Sequence, residues 1–179
     1  GQILKCDVPK DIPAGSPRDL GKGTQRMNIN AGKIDGDTKH TVYRTARSAD
    51  GNWMAVAVRS NFVLLRELSE GREFAKIPLL NKYELPYCVA FDPKTGRLAI
   101  GVADMVYDTR KDGEKVPGAF ALDGKGHVLV FDNPTGPNPK LVADIQTSYF
   151  PEGLAFHPTD GKLAVAAGEN CEVTVYDVD

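Results

Sequence analysis

One run in this chain occurs twice, and it constrains the fold more than any other feature. Val89-Ala-Phe-Asp-Pro-Lys-Thr-Gly-Arg-Leu-Ala-Ile100 is echoed 65 residues later by Leu154-Ala-Phe-His-Pro-Thr-Asp-Gly-Lys-Leu-Ala-Val165. Ala, Phe, Pro, Gly, Leu and Ala coincide, and Arg97 matches Lys162 in charge. Ala46-Arg-Ser-Ala-Asp-Gly-Asn-Trp-Met-Ala-Val56 is a looser copy, with one additional residue before its apolar run. A second motif follows each copy, an alternating run closed by an acid. It reads Val128-Leu-Val-Phe-Asp132 and Val173-Thr-Val-Tyr-Asp177, with weaker forms at Val63-Leu-Leu-Arg-Glu67 and Ile3-Leu-Lys-Cys-Asp7. Apolar residues at period two make each run a strand with one or both faces buried. Asp-Pro-Lys-Thr-Gly and His-Pro-Thr-Asp-Gly supply the turns between them, Pro fixing φ and Gly taking the left-handed position. Helical periodicity is nearly absent; the stretch Leu64–Glu70 fits a strand equally well.

Composition narrows the function classes. The chain has 179 residues, suited to one ordinary domain, and at 41% hydrophobic and 26% charged it is too apolar to be disordered. Its net charge of −2 gives no basic footprint for nucleic acid. No stretch approaches the roughly 18 apolar residues of a membrane span. The 18 Gly and 12 Pro are spread along the chain, as many turns between short strands require. The first residue is Gly1 rather than Met, which permits a processed chain and an exported, periplasmic or extracellular location. The three cysteines, Cys6, Cys88 and Cys171, form no C-x-x-C pair, so a structural zinc site of that type is not expected. They read as small apolar core residues, the alternative being a disulfide from Cys6 to either of the others.

The strands group into four-stranded units. The first is Thr41–Arg47, Trp53–Arg59, Phe62–Leu68 and Arg72–Ile77. The second is Tyr87–Asp92, Leu98–Ala103, His127–Asp132 and Lys140–Ile145. The third is Gly153–His157, Leu163–Ala167 and Glu172–Val178. The pairing of F-x-P-x-x-G-x-L-A with V-x-V-Y/F-D resembles β-propeller repeats of the WD40-like and YVTN-like kind. Pro151-Glu-Gly-Leu-Ala-Phe156 is also similar to NHL-type, lactonase-type and gluconolactonase-type propellers. The WD40 Trp-Asp dipeptide and the blade-opening Gly-His pair are not present. The resemblance implies an all-β chain of four-stranded antiparallel propeller blades, about three of them, forming a partial propeller. The blades span 41–78, 86–145 with an insertion at 105–125, and 151–179. Residues 1–40 hold a leading strand, Gln2–Asp7, and a Gly/Pro-rich arm with one strand near Gln25–Asn30. Propellers have typically 4–8 blades, so the expectation is a segment completed by protein partners or by further blades from another chain. The alternative is that residues 9–40 close a small barrel or sandwich.

In a propeller the second-to-third-strand loops and the blade-to-blade connections share one face. That places Tyr83, Glu84, Tyr87, Tyr107, Asp108, Arg110, Tyr149, Phe150 and Glu152 together, and exposed aromatics with Arg compose a protein-binding hot spot. The alternative for Tyr87 and Phe150 is packing under the loops as lids on the core. The charged insertion Met105–Lys125 reads as a solvated excursion.

No complete catalytic constellation is visible. Gly21-Lys-Gly-Thr-Gln-Arg26 lacks the third Gly and the Lys-Ser/Thr ending of phosphate loops. Asp35-Gly-Asp-Thr-Lys39 has no EF-hand spacing. The three histidines, His40, His127 and His157, make no H-x-x-H pair. His157 occupies the column of Asp92 and reads as a turn cap; His127 opens a strand and is expected at its solvated end. The resemblance to lactonase-type propellers implies an axial carboxylate site from Glu152, Asp104, Glu169 and Asn170, with Glu152 as the metal ligand and Ca²⁺ or Mg²⁺ as the hard cation. The leading expectation is a non-catalytic propeller segment without a cofactor, acting as an interaction or scaffold subunit. The alternative is a lactonase-like or divalent-metal-dependent hydrolase.

Overall fold

Trp53–Val58 is apolar at nearly every position, and residues 54–58 are all buried; a strand can hide both faces this way only between two packed layers. Lys140–Thr147 instead alternates strictly between half-buried and exposed, as a strand does when one face meets water. This contrast, repeated through the chain, orders the fold. The computed structural model describes residues 41–69, 73–109, 115–167 and 172–178. The expected strands Gln2–Asp7 and Gln25–Asn30, the arm, the two Gly- and Asp-rich loops before residue 40, and His40, Cys6, Arg110, Glu169, Asn170 and Cys171 lie outside them.

The chain is all-β, in three antiparallel sheets. The first takes β1 (Val42–Arg47), β2 (Trp53–Val58), β3 (Phe62–Glu67) and β4 (Glu73–Pro78) in sequence order. The second takes β5 (Glu84–Phe91), β6 (Leu98–Thr109), β7 (Lys115–Asp132) and β8 (Lys140–Thr147). The third joins β9 (Pro151–Phe156), β10 (Leu163–Ala167) and β11 (Glu172–Tyr176). The repeated turn forms as its residues dictate. Gly51, Gly96 and Gly161 adopt φ of 77°, 76° and 75°, and Asp92 N–H donates to Arg97 O as His157 N–H does to Lys162 O. Asp92 and His157 cap equivalent turns, Asp92 accepting from Lys94 N–H at 2.9 Å and His157 Nδ1 lying 2.9 Å from Asp160 Oδ1.

The sheets stack through their apolar faces. Ala55, Ala57, Val63 and Leu65 of the first sheet meet Leu98, Ile100, Val102 and Leu129 of the second. The second sheet's other face, Ala99, Val128 and Val130, meets Leu163 and Val165 of the third. Burying each of the Val, Leu and Ile side chains contributes about 1.5–3 kcal/mol. The first strands of the three sheets, β1, β5 and β9, lie beside one another.

Two expectations are corrected. Residues 105–109 and 115–125 are strand rather than loop: β6 and β7 continue into them, Met105 pairing with Leu122 and Tyr107 with Phe120. A bulge between Ala103 and Met105 absorbs the change of register, with Gly124 at φ 75° opposite it. His127, expected at a solvated strand end, is 6% exposed; it sits in a cleft with Leu80, Asn81 and Glu84.

Candidate functional site

The second sheet gathers four chemistry-bearing side chains where β5 begins. Glu84 opens β5 and pairs with Asp104 on β6. Across the next ladder Val102 pairs with His127 on β7, and His127 with Gln146 on β8, which sets Asp144 two residues along the outermost strand. All four strands therefore contribute to one cleft of about 290 Å³, lined by Leu80, Asn81, Glu84, Asp104, His127, Asp144 and Gln146.

Glu84 is 3% exposed, an unusual place for a carboxylate. Its Oε2 accepts Leu80 N–H at 2.7 Å and Asn81 N–H at 3.1 Å, and its Oε1 accepts the Asn81 side-chain amide at 2.5 Å. The connection from β4 thus holds the carboxylate in one orientation and satisfies its charge with donors. Oε1 also lies 3.5 Å from His127 Nε2. On the imidazole's other side, Nδ1 sits 2.5 Å from Asp144 Oδ1, which Gln146 Nε2 supports at 3.3 Å. An ionised Asp144 accepts a hydrogen bond from Nδ1–H, which leaves the Nε2 edge toward Glu84. Nε2 is buried and makes no hydrogen bond. Donor atoms of Glu84, Asp104 and His127 all lie within 4.8 Å of one another.

The residues singled out in the sequence divide in two. Glu84 and Asp104 enter this cluster, while Glu152, the expected metal ligand, is exposed and outside it. Tyr87, Tyr149 and Phe150 form an aromatic group with Tyr43. Tyr87 stacks on Tyr43 at 5.4 Å and meets Phe150 edge-on at 5.1 Å, and Tyr149 lies 4.5 Å from Phe150. Phe150 is 6% exposed, so it packs under the surface rather than on it, and Glu84 likewise. Tyr83 is half-buried, with Lys82 over its ring at 4.8 Å. Tyr107 and Asp108 lie on β6 with side chains outside the described residues, and Arg110 is outside altogether. His127 and Asp144 were not selected by sequence reasoning; the one signal was a histidine opening an alternating strand.

Among the described residues Cys88 is a free, buried thiol whose Sγ lies 3.3 Å from Pro151 O. Burial pushes its pKa up to about 12, so it is inert as a nucleophile near neutrality.

Among the described residues, no helix is long and apolar enough to cross a membrane. No family model matches the chain. It is 33% identical over 126 residues to hydrazine synthase subunit beta of Kuenenia stuttgartiensis, an alignment covering 65% of this chain and 32% of that protein. The chain therefore spans about a third of the length of the curated relative it matches.

Proposed function

We propose that the three sheets are consecutive blades of a β-propeller and that the chain serves as an interaction subunit of a larger assembly. One observation carries this reading. The second and third sheets are the same repeat, so Ala99, Val128 and Val130 correspond to Ala164, Val173 and Val175. The register agrees: Ala99 pairs with Val130, and Ala164 with Val175. Ala99, Val128 and Val130 are fully buried under the third sheet, whereas Val173 is 68% and Val175 59% exposed. An apolar sheet face of this kind is a docking surface. Its occupant is a further antiparallel sheet, with Leu and Val at the positions held by Leu163 and Val165, because that is what covers the same face one repeat earlier. A second copy of this chain does not fit. The matching face of its first sheet, Met54, Val56, Val58, Phe62 and Leu64, is already buried. Similarity to a protein named as a subunit agrees with such a role.

The surface expected around Tyr83, Tyr87, Tyr107, Asp108, Arg110 and Tyr149 is the second contact surface in this reading; Glu84 and Phe150 are buried and leave it. Tyr83→Ala and Tyr107→Ala should each weaken partner binding several-fold, measured by calorimetry. Unchanged binding would remove that surface from the proposal.

Cysteine labelling tests the sheet face. Val175→Cys should react fully with a maleimide in the isolated chain and be protected in the intact assembly. A photo-crosslinker at that position should there reach a segment of alternating apolar residues. Equal labelling in both states contradicts the proposal.

A further inference from the structure

We infer that Glu84, Asp104 and His127 form a binding site for a first-row transition-metal cation of the zinc or manganese class. The inference does not depend on the interaction reading.

Acidic groups gathered at a cleft do not by themselves make a site; here the histidine adds the second observation. His127 is enclosed, its Nδ1 is committed to Asp144, and its Nε2 faces the carboxylates without a hydrogen bond. With the proton held at Nδ1, Nε2 presents a lone pair to Glu84 Oε1, 3.5 Å away. A lone pair opposed to a carboxylate in a buried setting is repulsive unless something positive stands between them. A proton on Nε2 is one answer, but it leaves a buried N–H without an acceptor in hydrogen-bonding geometry. A cation is the other, and it uses all three donor groups at once.

The dimensions suit a cation. Metal–ligand bonds to imidazole nitrogen and carboxylate oxygen are ~2.0–2.2 Å, so two donors on one tetrahedral ion stand ~3.4 Å apart. The donors here lie within 4.8 Å of one another, so modest side-chain closure completes the sphere. One imidazole with two carboxylates favours Zn²⁺, Mn²⁺ and related ions over Ca²⁺ and Mg²⁺, which take oxygen ligands. The Asp144–His127 hydrogen bond is the outer support that orients a ligating imidazole and raises its basicity. The Leu80 and Asn81 donors do the same for Glu84. Asp104 is half-buried on the cleft side, and solvent there can fill the remaining positions.

The test uses the untagged chain, stripped with chelator and dialysed against micromolar Zn²⁺, with bound metal counted by mass spectrometry and unfolding followed by circular dichroism. The expected result is about one zinc per chain and a raised unfolding midpoint, with no such rise in equal Ca²⁺. His127→Gln and Asp104→Asn should each lose at least tenfold in affinity, and Asp144→Asn about 10–100-fold, the usual range for an outer-shell partner. Asp104 is half-buried, so Asp104→Asn keeps the test valid even if His127→Gln fails to fold. Two results overturn the inference. A folded chain that retains no zinc means that the cluster does not hold a cation. Zinc retained undiminished in Asp104→Asn and His127→Gln means that the ion sits elsewhere.

Discussion

Gly101 and Cys88 show how single residues keep the sheets in contact. They pair across β5 and β6, and a Cβ at Gly101 would overlap Cys88 Sγ and stand 3.0 Å from Pro151 Cβ. One repeat later the sizes are exchanged, Gly153 standing in the Cys88 column and Ala166 in the Gly101 column. Gly101→Ala should therefore cost about 1–3 kcal/mol by overpacking. Cys88→Gly in the same chain should recover part of it, giving a coupling of about 0.5–3 kcal/mol in a denaturant double-mutant cycle. Additive single effects would mean that the two positions do not share space. Cys88 also predicts a pH response. The unfolded thiol ionises near 9.0 and the folded one near 12, so the stability gained by keeping it protonated is complete below about pH 9. That stability is lost as pH rises from about 9 through 12. Between pH 8 and 10.5 wild type should lose more stability than Cys88→Ala; parallel losses would contradict the assigned burial effect. At the same scale the candidate site was only half legible. Glu84 and Asp104 stood out as acids near loops, but in separate roles. Only the strand register sets Glu84 opposite Asp104 and brings His127 within reach of Asp144, and no sequence spacing encodes that diagonal.

Among the elements, the period-two runs located the strands well because local pattern and tertiary pairing agree there. Leu163–Ala167 falls where the repeat places it, and β2 and β3 differ only at their ends. The exception is the hairpin formed by β6 and β7. The charged insertion Met105–Lys125 reads as a solvated excursion. Pairing with a long neighbour overrides that local pattern, as it commonly does for strands. The equivalence of the second and third sheets makes a matched prediction. Val130→Ala, under the third sheet, should cost about 2 kcal/mol from lost methyl burial and the cavity left behind. Val175→Ala at the corresponding open position should stay within about 0.5 kcal/mol. Urea denaturation of the two variants decides it, and equal costs would mean that Val175 is covered in the isolated chain.

At the scale of the molecule, the account rests on a stack of sheets whose last face is apolar and open while every earlier one is covered. The repeat made the stacking legible in the sequence, since two copies of one motif must pack alike. The burial of the first sheet's far face and the exposure of the third's were not legible, because they depend on what lies against each sheet rather than on its own residues. A cryo-electron microscopy map of the intact protein in its assembly tests the central claim most directly. A further antiparallel sheet should lie about 10 Å from the third, its Leu and Val side chains over Ala164, Val173 and Val175. Solvent over those three residues, or a covering element that is not a sheet, would contradict the account.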